Sequence, residues 1–232
     1  EIAKRFPITI VSIQPESFHY SKTLNLGARL ARGEFVVNLS AHAVPENERW
    51  LGELVDPLSD SKVAGVHGAE KPMKGWSSPF EKKILADTFG EHYLERTEED
   101  FFSNANSAMR KADLIEYPFD ETVDWAEDRI WAGNMQSQGN KIVYQPRSAV
   151  FHSHNLSFQG QFQRSLKFYR VFFKTLKQDC VARKTTESKK SFMKKATVFR
   201  RFLIDQGLSS SIYAHLYASF FEYINHLALE MA

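Results

Sequence analysis

The chain has 232 residues, of which 43% are hydrophobic and 25% are charged, proportions close to the globular average. They exclude a disordered, collagen-like or coiled-coil protein, and the length fits one sizeable domain with a helical appendage. The balanced charge of +2 excludes a generic nucleic-acid binder, and the single cysteine excludes a disulfide framework or a cysteine zinc site. We therefore expect a cytoplasmic protein without a transmembrane helix.

The charge is divided unevenly along the chain. Residues 1–159 carry 17 Lys and Arg against 23 Asp and Glu, a net charge of −6. Residues 160–232 carry 13 against 5, a net charge of +8. Such a division predicts that the tail faces an anionic partner or surface. Its basic residues, with aromatic residues between them, fit either an anionic membrane face or a solvated helix face, whereas the acidic first part argues against nucleic acid.

Alternating segments in the first part of the chain predict an α/β fold. A β-branched run over residues 8–13 predicts a buried strand. Helices are expected over 21–32 and 47–58, and strands over 35–39 and 62–66. This alternation predicts a mainly parallel sheet with flanking helices.

Beyond residue 70 the predicted elements are shorter, and from residue 159 the sequence becomes aromatic-rich with helical spacing. We therefore divide the chain into a domain of residues 1–158 and a basic helical extension of residues 159–232. The predicted elements in this part are helices over 80–88, 127–138, 161–179 and 209–231, and strands over 104–110, 141–144 and 149–151.

Three histidines follow predicted strands. His42 comes just after the strand over 35–39, and ligands in open α/β sheets lie beyond the carboxyl ends of the strands. His152 and His154 end a later strand, where alternation directs both imidazoles to the same face. Such histidines are typical of a metal or diphosphate site. The alternative for His42 is a loop histidine that bonds to the backbone.

Two adjacent carboxylates, Glu127 and Asp128, begin the helix predicted over 127–138. The helix dipole favours negative charge there, which would by itself explain both residues. The chemical alternative is a general base, a carboxylate that takes a proton from an attacking hydroxyl. Neighbouring side chains point in different directions, so at most one of them faces the reacting atoms.

The order of these motifs resembles the family-two glycosyltransferases of the GT-A fold, especially the bacterial rhamnosyltransferase-like branch. The resemblance implies a GT-A (Rossmann-like) domain that transfers a sugar, with inversion, from a nucleotide-diphosphate donor to a saccharide or lipid-linked acceptor. The product would be a bacterial surface polysaccharide, and the donor a dTDP- or UDP-sugar. The matching stretches lie at 18–28, 31–34, 39–45, 50–51, 102–110, 118–121, 127–128 and 150–154.

The resemblance also implies roles for single residues. Asp128 would be the catalytic base, and Glu127 would support the start of the helix or position Asp128. His42 stands where the family has an acidic metal ligand, and with His152 and His154 it would hold a divalent cation, Mn²⁺ or Mg²⁺. Histidine suits Mn²⁺ better than Mg²⁺. The expected substrate-binding residues are Asn104, Asn106, Arg110, Lys22, Asn25 and Trp125, the last stacking on an acceptor sugar.

One departure from the family pattern leaves other functions open. The family begins with a strand that holds the nucleotide base, followed by a strand that ends in an acidic turn rich in Ser and Gly. Neither strand precedes residue 8, so we expect the chain to start inside the domain. A non-catalytic binding or scaffold protein that kept the fold is therefore an alternative. Another is a metal hydrolase that uses His152, His154 and Asp128. As a transferase, the protein would act at the inner face of the plasma membrane through residues 160–232.

Overall fold

The computed structural model describes residues 5–96, 101–123, 125–155 and Arg164. The two predicted tail helices and the boundary at residue 159 lie outside these residues, and the division into two domains stays a prediction. Among the described residues, no helix is long and apolar enough to cross a bilayer. The elements are α1 (Tyr20–Leu30), β1 (Phe35–Leu39), β2 (Ala43–Pro45), α2 (Trp50–Val55), β3 (Val63–Lys71), α3 (Pro79–Thr88), β4 (Leu94–Arg96), β5 (Asn106–Arg110), α4 (Lys111–Glu116), α5 (Glu127–Ser137) and β6 (Lys141–His152), with 3₁₀ turns at Pro15–Ser17 and Asp56–Ser59.

The strands form one six-stranded sheet in the order β1-β5-β3-β6-β2, and β4 pairs with the first half of β6. Only β3 and β6 are parallel among the described strands, so the sheet is mixed rather than mainly parallel. The reason is that β5 lies between β1 and β3 and runs against both. The predicted alternation gave most of the helices and strands but not the direction in which the strands pair.

The pairing defines two opposite edges of the sheet. Leu39 pairs with Asn106, and Lys71 pairs with Phe151, next to His152. We call this the carboxyl edge, because β1, β3 and β6 end there. At the other edge, Phe35 pairs with Arg110 and Val63 pairs with Lys141. We call this the amino edge.

Apolar side chains cover both faces of the sheet and hold these edges in place. On one face, Trp131 and Met135 of α5 pack with Leu114 of α4 in a cluster that includes strand residues. On the other face, Leu54 of α2 and Leu58 pack with residues of β3, β5 and β6. Helices on both sides of the sheet are the layered arrangement expected of an α/β domain.

The segment predicted as a strand over residues 8–13 is not one. Ile8 and Ile10 are 54% and 55% exposed, and none of the described strands pairs with this segment. A β-branched run forms a stable strand only where a partner accepts its backbone hydrogen bonds. The β-branched residues of this run favour a strand, but no described strand pairs with the run.

Within the described residues, the other predicted elements are present, most of them with shifted bounds. The strands over 141–144 and 149–151 are one strand, β6, whose pairing with β3 shifts register after Gly68. At Gly68 an added Cβ would lie 1.9 Å from the carbonyl oxygen of Ser148, so only glycine allows this close approach of the two strands. The helix over 47–58 is α2 followed by a 3₁₀ turn. Three short elements were not predicted, namely β2, β4 and α4.

Candidate functional site

Three imidazoles meet at the carboxyl edge. His42 lies in the turn between β1 and β2, and the pairing of Ala43 with His152 brings that turn to the end of β6. The Nε2 atoms of His42 and His152 are 2.9 Å apart, and the His154 ring lies 4.8 Å from the His42 ring. One nitrogen from each of the three histidines lies within 4.8 Å of the others. The structure therefore assembles all three histidines that the sequence singled out.

Glu70 supports this cluster from behind. Its Oε2 atom is 2.5 Å from Nδ1 of His152, and its Oε1 atom accepts a 2.6 Å hydrogen bond from the Ser103 hydroxyl. The carboxylate is buried, at 7% exposure, near the end of β3. A carboxylate at one imidazole nitrogen fixes the proton there and leaves the other nitrogen as a donor for a metal. In this way Glu70 directs Nε2 of His152 into the cluster.

Glu81 holds the turn that carries His154. Ser78 caps α3 by accepting from the Glu81 backbone N–H at 3.2 Å, which fixes the first turn of that helix. The Glu81 carboxylate then accepts the N–H of His154 at 2.8 Å and the hydroxyl of Ser153. β6 ends at His152, and Asn155, three residues further on, has a left-handed φ of 43°. The position of His154 thus depends on α3 as well as on β6.

Two of the imidazoles are neutral at physiological pH. The pKa of His154 is lowered to about 3, first by burial and then by the charges of Arg164, His152 and His42. The pKa of His42 is also lowered, first by burial and then by the charges of His152 and Arg164. A neutral imidazole offers a lone pair to a metal ion but no positive charge to an anion. The cluster therefore fits a divalent metal better than it fits a diphosphate bound directly.

The carboxylate pair lies at the start of α5. Ala126 precedes it with a φ of 62°, a left-handed conformation that L residues rarely adopt and that occurs often at functional sites. Asp128 accepts the backbone N–H of Asn104 at 3.2 Å and that of Arg129 at 2.8 Å. Loss of hydration and the charge of Glu127 raise the pKa of Asp128 to about 7. A carboxyl with such a pKa can exchange a proton at neutral pH.

Residues 103 and 104 connect the histidine cluster to the carboxylate pair. Ser103 donates to Glu70, which orients His152, while the next residue, Asn104, donates its backbone N–H to Asp128. The Asn104 side chain also donates to Glu127 at 3.4 Å, and its oxygen accepts from Asn38 and Ser107. Asn104 is therefore a bridge between β1, β5 and α5. It ties the carboxylates to the same edge as the histidines.

An aromatic group lies next to the carboxylates. The half-buried Trp125 meets the ring of Tyr20 edge-on at 6.3 Å, and Tyr20 in turn meets Phe18 at 5.0 Å. Phe18 and Tyr20 are each about half exposed, at 50% and 49%. Arg164 lies over the Trp125 ring at 5.6 Å. The acceptor-binding role of Trp125, whose ring is half-buried, stays a prediction.

Several predicted substrate-binding residues have other partners. Asn106 is fully buried, donates to the carbonyl of Ser148 at 2.8 Å, and accepts from the Trp50 indole at 2.8 Å. The buried side-chain amide of Asn25 donates to the backbone carbonyl of Phe119 at 2.9 Å and accepts from its backbone N–H at 3.0 Å. These amides join elements of the fold, so the structure does not place them in a sugar pocket.

Arg110 and Lys22 also lie apart from the cluster. Arg110 is at the amino edge, where its guanidinium donates to the carbonyls of Leu58, Asp60 and Val63. That edge is opposite the histidines, so the structure does not support a sugar-binding role for Arg110. Lys22 is exposed on α1, and its substrate-binding role stays a prediction.

Sequence reasoning missed four residues that shape the site: Ser103, Glu70, Glu81 and Arg164. Glu70 gave a signal, since it is a carboxylate next to an apolar run and a buried charge needs a specific partner. Glu81 lies three residues after Ser78, and that spacing predicts a capping box rather than a contact with a distant turn. Nothing in the local sequence distinguishes Arg164 from the other basic residues of the tail.

Residues 1–117 match the sequence profile of the family described as Glycosyl transferase family 2, about half of the chain. The chain belongs to this family. That membership confirms the resemblance drawn from the ordered motifs. The match ends before Asp128 and His152, so it does not bear on the roles predicted for those residues.

Two curated relatives match a larger share of the chain than the family profile does. It is 30% identical over 174 residues to the O-antigen chain rhamnosyltransferase WbaN of Salmonella anatum, across 70% of this chain and 55% of that protein. It is 27% identical over 168 residues to the O-antigen chain rhamnosyltransferase RfbN of Salmonella typhimurium, across 68% and 53%. The chain thus spans about half the length of the curated relatives it matches.

A solved structure shows the fold. The mannosyltransferase PcManGT from Pyrobaculum calidifontis, determined in complex with GDP-Man and Mn²⁺, superposes with a TM-score of 0.51 and 19% identity. The likeness covers 91% of this chain and 54% of that one. It confirms the GT-A (Rossmann-like) α/β class expected from the sequence.

Proposed function

We propose that this family-two protein is an inverting glycosyltransferase that moves a sugar from a nucleotide-diphosphate donor to a saccharide or lipid-linked acceptor. One observation carries the proposal. Ser103 and Asn104, adjacent in the chain, hold a histidine cluster and a carboxylate of raised pKa at the same edge of the sheet. Sugar transfer needs both groups in one place, because a base takes the proton of the acceptor while a cation held by the histidines would neutralise the leaving diphosphate.

Asp128 acts as the base in this proposal. As the acceptor oxygen bonds to the anomeric carbon, the bond from that carbon to the donor diphosphate breaks, through an oxocarbenium-like transition state. The acceptor proton passes to Asp128, and the bonding electron pair leaves with the diphosphate. Burial and then the charge of the neighbouring Glu127 raise the pKa of Asp128, which strengthens it as a base near pH 7. Glu127 therefore positions and tunes Asp128 rather than reacting itself.

His42, His152 and His154 would hold a divalent cation. Such a cation would neutralise the charge that grows on the leaving diphosphate. Three imidazole nitrogens suit Mn²⁺ better than Mg²⁺, which prefers oxygen ligands. The Mn²⁺ in the PcManGT complex supports a divalent cation at such a site.

The relatives support a finer proposal for substrates. Both are named as O-antigen chain rhamnosyltransferases, which favours a deoxyhexose donated from a dTDP- or UDP-sugar into a bacterial surface polysaccharide. Trp125 would stack on the acceptor sugar. The +8 charge of residues 160–232 would bring the enzyme to the cytoplasmic face of the plasma membrane, close to a lipid-linked acceptor.

A thermal-shift panel tests this function. UDP, dTDP, GDP and the matching nucleotide-sugars are added to the 232-residue chain with Mn²⁺, with Mg²⁺ or with EDTA. We expect one nucleotide to raise the melting temperature with Mn²⁺, and less with Mg²⁺. The gain should disappear in His152→Ala and persist in His92→Ala, a matched change at an exposed histidine outside the cluster.

The panel also separates the alternatives. A nucleotide that stabilises the chain equally with Mn²⁺ and with EDTA would support a binding protein that kept the fold, and would count against the cation site. If no nucleotide stabilises the chain under any condition, the transferase proposal is overturned. Release of free sugar from a nucleotide-sugar without any acceptor would indicate a hydrolase instead.

A further inference from the structure

Two strands of the sheet hold the side chain of Asn104 in one orientation. Asn38 of β1 and Ser107 of β5 face each other in the strand pairing, and both donate to its amide oxygen, at 3.1 and 3.2 Å. Ser107 is fully buried. An amide oxygen has two lone pairs, so these two donors occupy it and the amide nitrogen points the other way. The sheet therefore decides where the Asn104 nitrogen donates.

That nitrogen faces the carboxylate pair at the start of α5. It donates to Oε1 of Glu127 at 3.4 Å, while the backbone N–H of Asn104 donates to Oδ2 of Asp128 at 3.2 Å. Glu127 is buried, at 8% exposure, and Asp128 is half-buried. A buried carboxylate needs hydrogen-bond donors. Asn104 thus holds both carboxylates, Glu127 through its side chain and Asp128 through its backbone.

The two carboxylates lie next to each other although their charges repel. The charged groups that act most strongly on Asp128 are Glu127 and Arg129, both on α5, and the loop packed against them contributes the N–H groups of Asn104. After burial, the charge of Glu127 is the largest influence that raises the pKa of Asp128. Without the Asn104 amide, the Glu127 carboxylate could turn away from its neighbour and relieve the repulsion.

We propose that Asn104 is a positioning residue, whose side chain holds the Glu127 carboxylate beside Asp128 and thereby makes Asp128 a stronger base. The inference rests on the proposed transferase function, in which Asp128 takes the acceptor proton. It gives Asn104 a different role from the sugar contact expected from the sequence. A base accelerates proton transfer more when it binds the proton more tightly. Strands β1 and β5 would then tune the reaction through a side chain that does not touch the substrate.

Titration of the Asp128 carboxyl by NMR tests the proposal without an activity assay. The full chain is labelled with ¹³C at its aspartate carboxyl groups, and Asp128→Asn identifies the resonance. The variants are Asn104→Ala, Glu127→Gln, these two changes combined and, as a matched control, Asn134→Ala. Asn134 is an exposed asparagine on the same helix, α5.

The proposal predicts that Asn104→Ala acts only through Glu127. The pKa of Asp128, about 7 in the unmodified chain, should fall by about one pH unit in Asn104→Ala and by at least as much in Glu127→Gln. In the Glu127→Gln background, Asn104→Ala should cause no further fall, because the charge that it positions is gone. Asn134→Ala should leave the pKa of Asp128 unchanged.

Steady-state kinetics then connect the titration to the reaction. Asn104→Ala should lower kcat several-fold at pH 8 and less at pH 6, because a weaker base stays ionised at the lower pH. The KM values for donor and acceptor should not change. A raised KM with an unchanged pH profile would show instead that Asn104 contacts a substrate, and would overturn the proposal.

Two further results contradict the proposal in distinguishable ways. If Asn104→Ala lowers the pKa of Asp128 equally with and without Glu127→Gln, or leaves it unchanged, Asn104 only joins the loop to the sheet, and the transferase function stands. If the titrations behave as predicted but the unmodified chain transfers no sugar, the proposed function fails, and with it the role of Asp128 as the base.

A second route covers an Asn104→Ala variant that does not fold. Asn38→Ala combined with Ser107→Ala removes both donors that orient the amide but keeps the amide itself. The pKa of Asp128 should then fall in the same direction by a smaller amount, and only while Glu127 is present. An unchanged pKa in this double variant would overturn the proposal.

Discussion

The two edges of the sheet use charged residues in opposite ways. At the amino edge, Arg110 donates to three backbone carbonyls, and Lys141 pairs with Glu95 at 2.7 Å and with Asp60 at 3.7 Å. At the carboxyl edge, Glu70 is buried against His152. The amino edge thus satisfies its charges with ordinary structural partners at the surface, whereas the carboxyl edge collects groups whose charges burial disfavours.

The pKa values show the same difference. Near the carboxyl edge, burial lowers the pKa of His42 and His154 and raises that of Asp128 to about 7. At the amino edge, hydrogen bonds lower the pKa of Asp60 and raise that of Lys141, so each keeps its usual charge. Strongly shifted pKa values in one place are a mark of functional sites. Burial also raises the pKa of Asp113, near Arg110, but the two largest shifts, at Asp128 and His154, lie near the carboxyl edge, where the proposed site is.

The largest expected effect is at Asp128. Asp128→Asn should lower the transfer rate by about 10²- to 10⁴-fold, the usual contribution of a general base, while leaving nucleotide and Mn²⁺ binding intact. Steady-state transfer assays with the donor identified by the thermal-shift panel provide the measurement. Asp120→Asn, at an exposed turn carboxylate that bonds to Thr122, is the matched control. Full transfer by Asp128→Asn would remove the residue from its proposed role.

The raised pKa of Asp128 also predicts how the transfer rate and the folding stability of the unmodified chain depend on pH. A base must be ionised, so the transfer rate should fall as the pH drops below about 7. Folding stability changes in the opposite direction and falls as the pH rises. The folded pKa is above the unfolded value of about 3.9, so the carboxyl's contribution is present at low pH and lost as the pH rises through about 7.

Asp128→Asn should therefore gain stability over the unmodified chain at pH 8 more than at pH 5. Urea unfolding at the two pH values measures this difference. A constant difference across that range would mean that burial does not raise the pKa of Asp128, and the contrast between the edges would lose one of its supports.

A smaller effect is expected at Glu70. Glu70→Gln keeps the size of the side chain but removes the negative charge that orients His152, so Mn²⁺ affinity should fall about 10- to 100-fold. Calorimetric titration with Mn²⁺ measures it. Glu46→Gln, at a half-exposed carboxylate that pairs with Lys71 at 2.6 Å, should leave the affinity unchanged. If Glu70→Gln binds Mn²⁺ as the unmodified chain does, His152 is not a ligand oriented by this carboxylate.

The smallest effect on function is expected at the amino edge. Arg110→Ala should cost about 2–3 kcal/mol of folding stability, because three backbone carbonyls, two of them partly buried, lose a charged donor. Mn²⁺ and nucleotide affinity should not change. The midpoint of urea unfolding and the two affinities together provide the check. Weaker nucleotide-sugar binding without a loss of stability would return Arg110 to the sugar pocket and break the distinction between the edges.

Local patterns predicted much of this fold. The helices α1, α3 and α5 and the strand β1 lie close to where periodicity, glycine stops and β-branched runs placed them. The prediction of a strand over residues 8–13 is wrong because a strand needs a pairing partner, which no local pattern specifies. The three-residue strands β2 and β4 were missed because three residues carry too little alternation to be recognised.

The sequence by itself determined the chemical inventory and the family. The order of its motifs singled out the three histidines, Asp128 and Trp125, because each follows or begins a strongly patterned element. Only the tertiary structure decided which groups meet. Glu70 and His152 are 82 residues apart in the chain, and His42 and His152 are 110 apart. Contacts across such distances follow from strand order and register, which also direct the side chains of Asn106 and Arg110 toward partners within the fold.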